Sequence, residues 1–268
     1  GRASATFVPA VFPWTPAGGL ARWPVLLQTA ELVGERGTSF LVAIGCALVA
    51  DAIARMLERR ALRAAARPLA IGAAVFATLL AYGIVRMREV DALRAAAPRA
   101  KVALLQPDFD AAMRWEEHRA ELMMDRLTAL PKRAEAAGAV LTVWPESAYP
   151  YTLAHGVKRS PPGARAILQH GVRGPVLTGA YLKKGGGLGT NSAILVETNG
   201  DIAPSYDKRH LLWFGETVPL ADTFPILRKI FARGTGIEPG TESVAFRAGP
   251  IVATVLNCYE DTLPQAGR

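Results

Sequence analysis

Hydrophobic and polar positions along this chain change character twice. In TSFLVAIGCALVADAIA, Thr38 to Ala54, the single charge is Asp51, and in PLAIGAAVFATLLAYGIV, Pro68 to Val85, there is none. Each run has about the length a helix needs to cross a hydrocarbon core of ~30 Å. Between them RMLERRALRAAAR, Arg55 to Arg67, is dense in arginine. Two apolar runs around a basic connector predict a helical hairpin in a membrane, with spans at about 38–54 and 68–86. By the positive-inside rule the connector faces the cytoplasm, which puts both outer ends of the hairpin, and everything after Arg86, on the opposite side. Ahead of the hairpin, FVPAVFPWTPAGGLARWPVLLQ mixes Pro, Gly and aromatics, as interfacial or loop segments do.

From Arg99 onward short apolar runs rich in β-formers alternate with a helical stretch. KVALLQ (Lys101 to Gln106) and AVLTVW (Ala139 to Trp144) read as strands, and the segment between about Asp110 and Ala137 has mainly helical spacing, with Pro131 placed to break it. PVLTGAYL and TNSAILVE then flank KKGGGLG, and Asn199-Gly200 marks a turn, so a meander of hairpins is expected. SVAFRA and PIVATVLN form a further pair around Gly249-Pro250. The pattern is that of a layered α/β protein, and it divides the chain into a membrane region, 1–98, and an α/β domain, 99–268. Lys183-Lys184-Gly185-Gly186-Gly187 lacks the residue order of a phosphate-binding loop and precedes no helix, so it reads as a hairpin tip.

The formal charge of +8 on 268 residues could point to nucleic acid, but the arginine cluster between two apolar runs points to lipid headgroups instead. Only two cysteines occur, Cys46 inside an apolar run and Cys258 near the end, which excludes a disulfide framework. The four histidines are scattered without ligand spacing, so no metal is expected. The chain begins Gly1-Arg2-Ala3 and stops ten residues after Cys258, and it reads as a fragment cut at both ends.

Three motifs fall at predicted strand ends, where α/β proteins assemble their sites. VWPESAYP delivers Glu146 into a turn, although a lone glutamate there is ordinarily just solvated. YDKRHLLWFGETVP gathers Lys208, His210, Trp213, Phe214 and Glu216 in a segment of neither periodicity, either a pocket lining or a loop packed over a core. ATVLNCYED sets Cys258 at a strand end among polar residues, which argues against the small buried hydrophobe that a free cysteine ordinarily is. Its neighbours Glu260 and Asp261 disfavour a thiolate, so a cation is needed. Lys208 would supply that charge and then stabilise an oxyanion, and Glu146 would take the thiol proton.

The order Glu146 in WPES, Lys208 in YDKRHLLWFGE and Cys258 in NCYED resembles the Glu-Lys-Cys triad of the nitrilase superfamily. With membrane spans ahead of it, the chain from about Pro13 to its last residue resembles that superfamily's apolipoprotein N-acyltransferases. The resemblance implies a nitrilase-like α-β-β-α sandwich, incomplete at its C-terminus, preceded by transmembrane helices. It makes Glu146, Lys208 and Cys258 catalytic and carries supporting or substrate-binding roles to Glu216, to Trp115 on a mobile arm, and to Tyr259 and Glu260. It implies transfer of an acyl group from a phospholipid donor, through a cysteine thioester, to a diacylglyceryl-modified apolipoprotein, with no cofactor, metal or nucleic acid. Such an enzyme is a multi-pass protein of the bacterial inner membrane, its catalytic domain on the periplasmic side of the bilayer. Two departures stand out, Trp213 where proline is common and Asn257 where a small or apolar residue is usual, and both are expected to tune the pocket. Members of the family also carry further spans ahead of Thr38 and further elements beyond Cys258. Two rival readings are a membrane-tethered amidase using the same triad with water as acceptor, and a non-catalytic protein whose basic hairpin binds anionic lipid.

Overall fold

The two apolar runs extend into long helices, α1 (Ala30–Arg59) and α2 (Arg63–Ala96), in a computed structural model that describes residues 15–59, 63–109, 119–221, 223–231, 236–263 and 266. Stretches long and apolar enough to cross a membrane run over Ala30–Glu58 and Ala65–Ala96. Both exceed the spans that hydropathy outlines, because polar end residues such as Glu31 and Glu89 continue the helical backbone without adding apolar signal. Within the apolar windows only 17% and 22% of residues are buried, and Phe40, Ile53, Leu57 and Val85 stand exposed. A core helix of a water-soluble protein hides such a face; a helix solvated by lipid has no reason to.

Small residues let these two helices meet. A Cβ on Gly45 would lie 2.7 Å from the Phe76 ring, and one on Gly72 would touch Leu48. Toward the other end of the pair Glu31 accepts from Tyr82 Oη at 2.5 Å and pairs with Arg86 Nε at 2.7 Å. Within α1 the backbone leaves helical geometry at Gly34, φ 71° and ψ 173°. The Pro-rich approach folds into short turns, among them Pro24–Leu26, and the Val25 carbonyl sits where a side chain at Gly83 would have to be.

The chain divides into units Gly1–Pro98 and Arg99–Arg268, and the second is built on a mixed sheet. Its strands are β1 (Val102–Leu104), β2 (Leu141–Val143), β3 (Leu153–Ala154), β4 (Val176–Lys183), β5 (Gly189–Val196) and β6 (Tyr206–Asp207). They lie in the order β1-β2-β4-β5-β6, with β3 also beside β4. β1, β2 and β4 run parallel, which requires crossovers, and α3 (Ala120–Ala136) lies in the first of them. β4, β5 and β6 are antiparallel, since tight turns connect them.

Alternation along the strands builds two cores. One face buries Trp144, Val176, Ala180, Ile194 and Val196 under Met124 and Leu127 of α3. The other buries Leu141, Leu177, Ala193, Leu195 and Tyr206 under Phe246 and Ala248, which belong to the hairpin of β7 (Phe246–Ala248) and β8 (Ile251–Ala253). Helix, sheet and second sheet follow in the order of an α-β-β-α sandwich. Pro131, expected to break the helix, instead lies inside α3 on its buried face with Met123, Met124 and Leu127. Burial of that face outweighs the one backbone bond that proline removes.

Gly179 in β4 is the contact on which the candidate site first rests. Its N–H donates to Pro145 O at 3.2 Å, and its carbonyl accepts from Tyr149 N at 3.0 Å. A Cβ there would lie 2.2 Å from the backbone nitrogen of Ser147 and 2.7 Å from Glu146 Cα. Gly179→Ala is therefore expected to cost about 1–3 kcal/mol by overpacking, read as a lower urea midpoint at unchanged slope. An unchanged midpoint would show that the turn does not press on β4.

Candidate active site

Three strand ends bring the site together. β2 stops at Val143, and a turn with Ser147 at φ 51° presents Glu146. Lys208 directly follows β6, its N–H donating to Asn191 O at 2.8 Å and its carbonyl accepting from Gly240 N at 2.9 Å. Gly240 has no alternative at that approach, since a Cβ would fall 2.2 Å from Asp207 O. Beyond β8, Cys258 opens a short 3-10 turn, Cys258–Thr262, closed by reciprocal bonds between Asn257 and Glu260. Cys258 is exposed, and its φ of 51° is a left-handed conformation in which non-glycine residues are strained.

Lys208 is only 1% exposed. Its Nζ lies 3.4 Å from Glu146 Oε1 and 2.8 Å from Glu216 Oε2. Asn191 Nδ2 joins the same two carboxylates, donating to Glu146 Oε1 at 2.7 Å and to Glu216 Oε1 at 3.0 Å. The Leu212 N–H completes Glu216 at 2.9 Å. Burial opposes charge on Lys208, but the Glu216 hydrogen bond and the charges of Glu146, Glu216 and Cys258 outweigh it and hold the ammonium above the ordinary lysine range. Burial likewise pushes Glu216 up, and the donors Leu212, Lys208 and Asn191 overcome it, holding the carboxyl below its ordinary value of 4.5. Two carboxylates thus share one ammonium.

Glu146, Lys208 and Glu216 therefore meet in space, and Cys258 opens the turn beyond β8. Glu260, adjacent in sequence, is fully buried. Among the described residues it accepts from Tyr206 Oη, Arg209 N, His210 N and Asn257 N at 2.8–2.9 Å. Four donors absorb the negative charge that would otherwise oppose a thiolate next door. Tyr259 is half-buried, and Trp213 and Phe214 are 39% and 49% exposed. Trp115 lies outside the described residues. Among those residues no group of three His, Cys, Asp or Glu side chains is arranged to hold a metal ion.

Sequence reasoning passed over Asn191, which reads simply as a strand residue, and Tyr206, which opens a segment of neither periodicity. A signal for the first was present, because Thr190, Asn191 and Ser192 put three polar side chains in succession into a strand whose eight residues are all buried. Buried polar side chains are kept where something must be hydrogen-bonded.

An acid, an amine and a thiol at the strand ends of a layered α/β domain are the equipment of a carbon-nitrogen hydrolase. The model of the carbon-nitrogen hydrolase family matches residues 101–268, and the chain belongs to that family. Among characterised proteins it is similar to the apolipoprotein N-acyltransferase of Geobacter metallireducens, 31% identical over 263 residues, covering 96% of this chain and 49% of that protein. The apolipoprotein N-acyltransferase of Bradyrhizobium diazoefficiens is 28% identical over 287 residues, covering 96% and 50%. The chain spans about half the length of these relatives. Among solved structures, the NitN amidase from Neterenkonia sp. AN1 aligns with a TM-score of 0.35 and 18% identity, over 60% of this chain and 55% of that one.

The ion cluster sets a pH dependence. A carboxyl held low stabilises the fold above its unfolded value of 4.5 and loses that contribution as pH falls through its folded value. A lysine held high stabilises it below 10.5 and loses that contribution as pH rises through its folded value. Stability is expected to plateau between those limits, and Glu216→Gln is expected to flatten the acid limb while costing about 3 kcal/mol at neutral pH, the order found on removing one partner of a buried pair. Denaturant titrations from pH 3 to 8 check this; an acid limb as steep in the variant as in the unchanged chain would contradict it.

Proposed function

We propose that this chain carries the active site of a membrane-bound N-acyltransferase, acting through a Cys258 thioester. One observation carries the reading: the buried Lys208 ammonium is clamped by Glu146 and Glu216, and the exposed Cys258 is among the charges that act on it. In the first half-reaction Glu146 takes the thiol proton and sulfur attacks the acyl carbonyl of a phospholipid ester. The S–C bond forms, the ester C–O bond breaks, and Glu146 returns the proton to the departing lysophospholipid oxygen. Lys208 stabilises first the thiolate and then the oxyanion of the tetrahedral intermediate. In the second, the α-amine of a diacylglyceryl-cysteine apolipoprotein attacks the thioester, the C–S bond breaks, and the amine's proton passes through Glu146 to the sulfur. Glu216 keeps its charge throughout and fixes the lysine, so the proton shuttles between Cys258 and Glu146 at constant net charge.

A lipid substrate is supported by two features. Residues 1–98 form a membrane region by this reading, with 99–268 as the catalytic domain, so the enzyme shares a bilayer with donor and acceptor. The segment that continues from the Glu216 loop also exposes Phe214, Leu220, Phe224, Ile226 and Ile230, apolar area that a hydrolase of small polar substrates does not need. Trp115 and Tyr259 are assigned to substrate contact on the same reading. The domain faces the periplasmic side of a bacterial inner membrane, following the basic connector between α1 and α2.

The test supplies a phospholipid and an N-terminal diacylglyceryl lipopeptide to the chain in lipid nanodiscs. An adduct of one acyl mass on Cys258, absent in Cys258→Ala, is expected by intact mass, followed by acylated peptide. Free fatty acid without acylated peptide would assign water as the acceptor, and an adduct that survives Cys258→Ala would remove the nucleophile.

A further inference from the structure

The buried carboxylate of Glu260 does more than cap a turn. Its Oε1 accepts from the backbone N–H groups of Arg209 and His210, at 2.8 and 2.9 Å. Its Oε2 accepts from the Asn257 N–H at 2.9 Å and from the Tyr206 hydroxyl at 2.8 Å. All four partners donate, the pattern that suits a carboxylate and not a carboxylic acid. Three of the donors flank Lys208, two residues before it and directly after it, and the fourth directly precedes Cys258. One side chain therefore ties both sides of the lysine to the shoulder of the nucleophile, across some fifty residues of sequence.

The tie matters because Cys258 stands in a left-handed backbone conformation that surrounding structure has to enforce. Three of the four tethers are main-chain amides, which any residue at those positions would supply. The fourth is the Tyr206 hydroxyl, 3% exposed on the strand that leads into Lys208, with its ring packed in the second core among Leu141, Leu177 and Phe246. That packing fixes the hydroxyl relative to the sheet, so through it Glu260 is registered against the rigid part of the domain and not merely against two loops. Burial, then the hydrogen bond to Glu260, pushes the Tyr206 hydroxyl well above the ordinary tyrosine range, so it remains a donor.

The geometry points to Tyr206 as a positioning residue of the proposed reaction: through Glu260 it sets the placement of the Cys258 sulfur relative to the Lys208 ammonium. This rests on the assignment of Cys258 as nucleophile. Loss of the hydroxyl leaves the ring packing intact but frees the carboxylate from the sheet, and sub-ångström misplacement of a nucleophile lowers rates steeply.

The experiment uses the full chain in nanodiscs with Cys46→Ser, so that only Cys258 is labelled, and compares Tyr206→Phe with the unchanged residue. Iodoacetamide alkylation of Cys258 at neutral pH is expected to slow about tenfold, and kcat for acyl transfer to fall by a similar factor with KM unchanged, the signature of misplacement and not of lost binding. A purely structural tyrosine would lower the unfolding temperature and leave both rates per folded molecule as they were, and that result overturns the assignment. Amide exchange in the unmodified chain gives a check that needs no variant. The N–H groups of Arg209, His210 and Asn257 are expected to share one protection factor once their intrinsic exchange rates are divided out, as a single opening event requires, and clearly different protection factors would sever the tie. Alkylation needs no lipid, so a Tyr206 effect on labelling in a chain that transfers no acyl group would retire the acyl-transfer reading while leaving the tie in place.

Discussion

A lysine ammonium taken out of water organises this domain. Desolvating such a charge costs several kcal/mol unless opposite charge and hydrogen bonds compensate, and Lys208 at 1% exposure has both. The compensation comes from three places in the sequence: Glu146 at the end of β2, Asn191 within β5, and Glu216 in the loop after Lys208 itself. Lys208 pairs with both carboxylates, and Asn191 donates to both. The glycines at 179 and 240, which allow two backbones to approach the cluster, belong to the same requirement.

The cluster sets two glutamates against one lysine, and the two stand in different surroundings. Glu216 accepts from a backbone amide, the lysine and Asn191, and is held ionised. Glu146 accepts from Asn191 and lies farther from the ammonium, at 3.4 Å against 2.8 Å, and it is the one to which the proposed reaction assigns the proton. The two glutamates thus differ in surroundings, which is what the proposed division of roles between them draws on. The carboxylate nearest the thiol in sequence, Glu260, is meanwhile occupied by four donors.

The helical unit follows different rules. Its two helices meet through small residues and a polar clasp of Glu31, Tyr82 and Arg86, and most of their large apolar side chains face outward. In water that arrangement would aggregate; in lipid it is the ordinary condition of a helix pair. The chain thereby joins a unit that wants hydrocarbon to one whose buried polar cluster needs a well-packed, water-excluding sheet.

Periodicity was enough to define both long helices and the strands β1, β2, β4, β5, β7 and β8, because burial of an apolar face imposes period 3.6 or period 2 on the residues that make it; the order of the layers came from the family resemblance, and the two-residue strands β3 and β6 are too short to show a period. Residue type and strand-end position were enough to single out Glu146, Lys208, Glu216 and Cys258. Pro131 misled because its cost is local while the burial that overrides it is tertiary. Tyr206 stayed silent for the same reason, since a hydrogen bond between residues 54 positions apart leaves no mark on either neighbourhood, and the polar run around Asn191 marked a buried polar site without naming its partner 45 positions away. The folded structure decided which carboxylate lies on the lysine, which is sealed away beneath the cysteine, and how strand register carries groups remote in sequence to hydrogen-bonding distance, since distance in space is what electrostatic energy responds to.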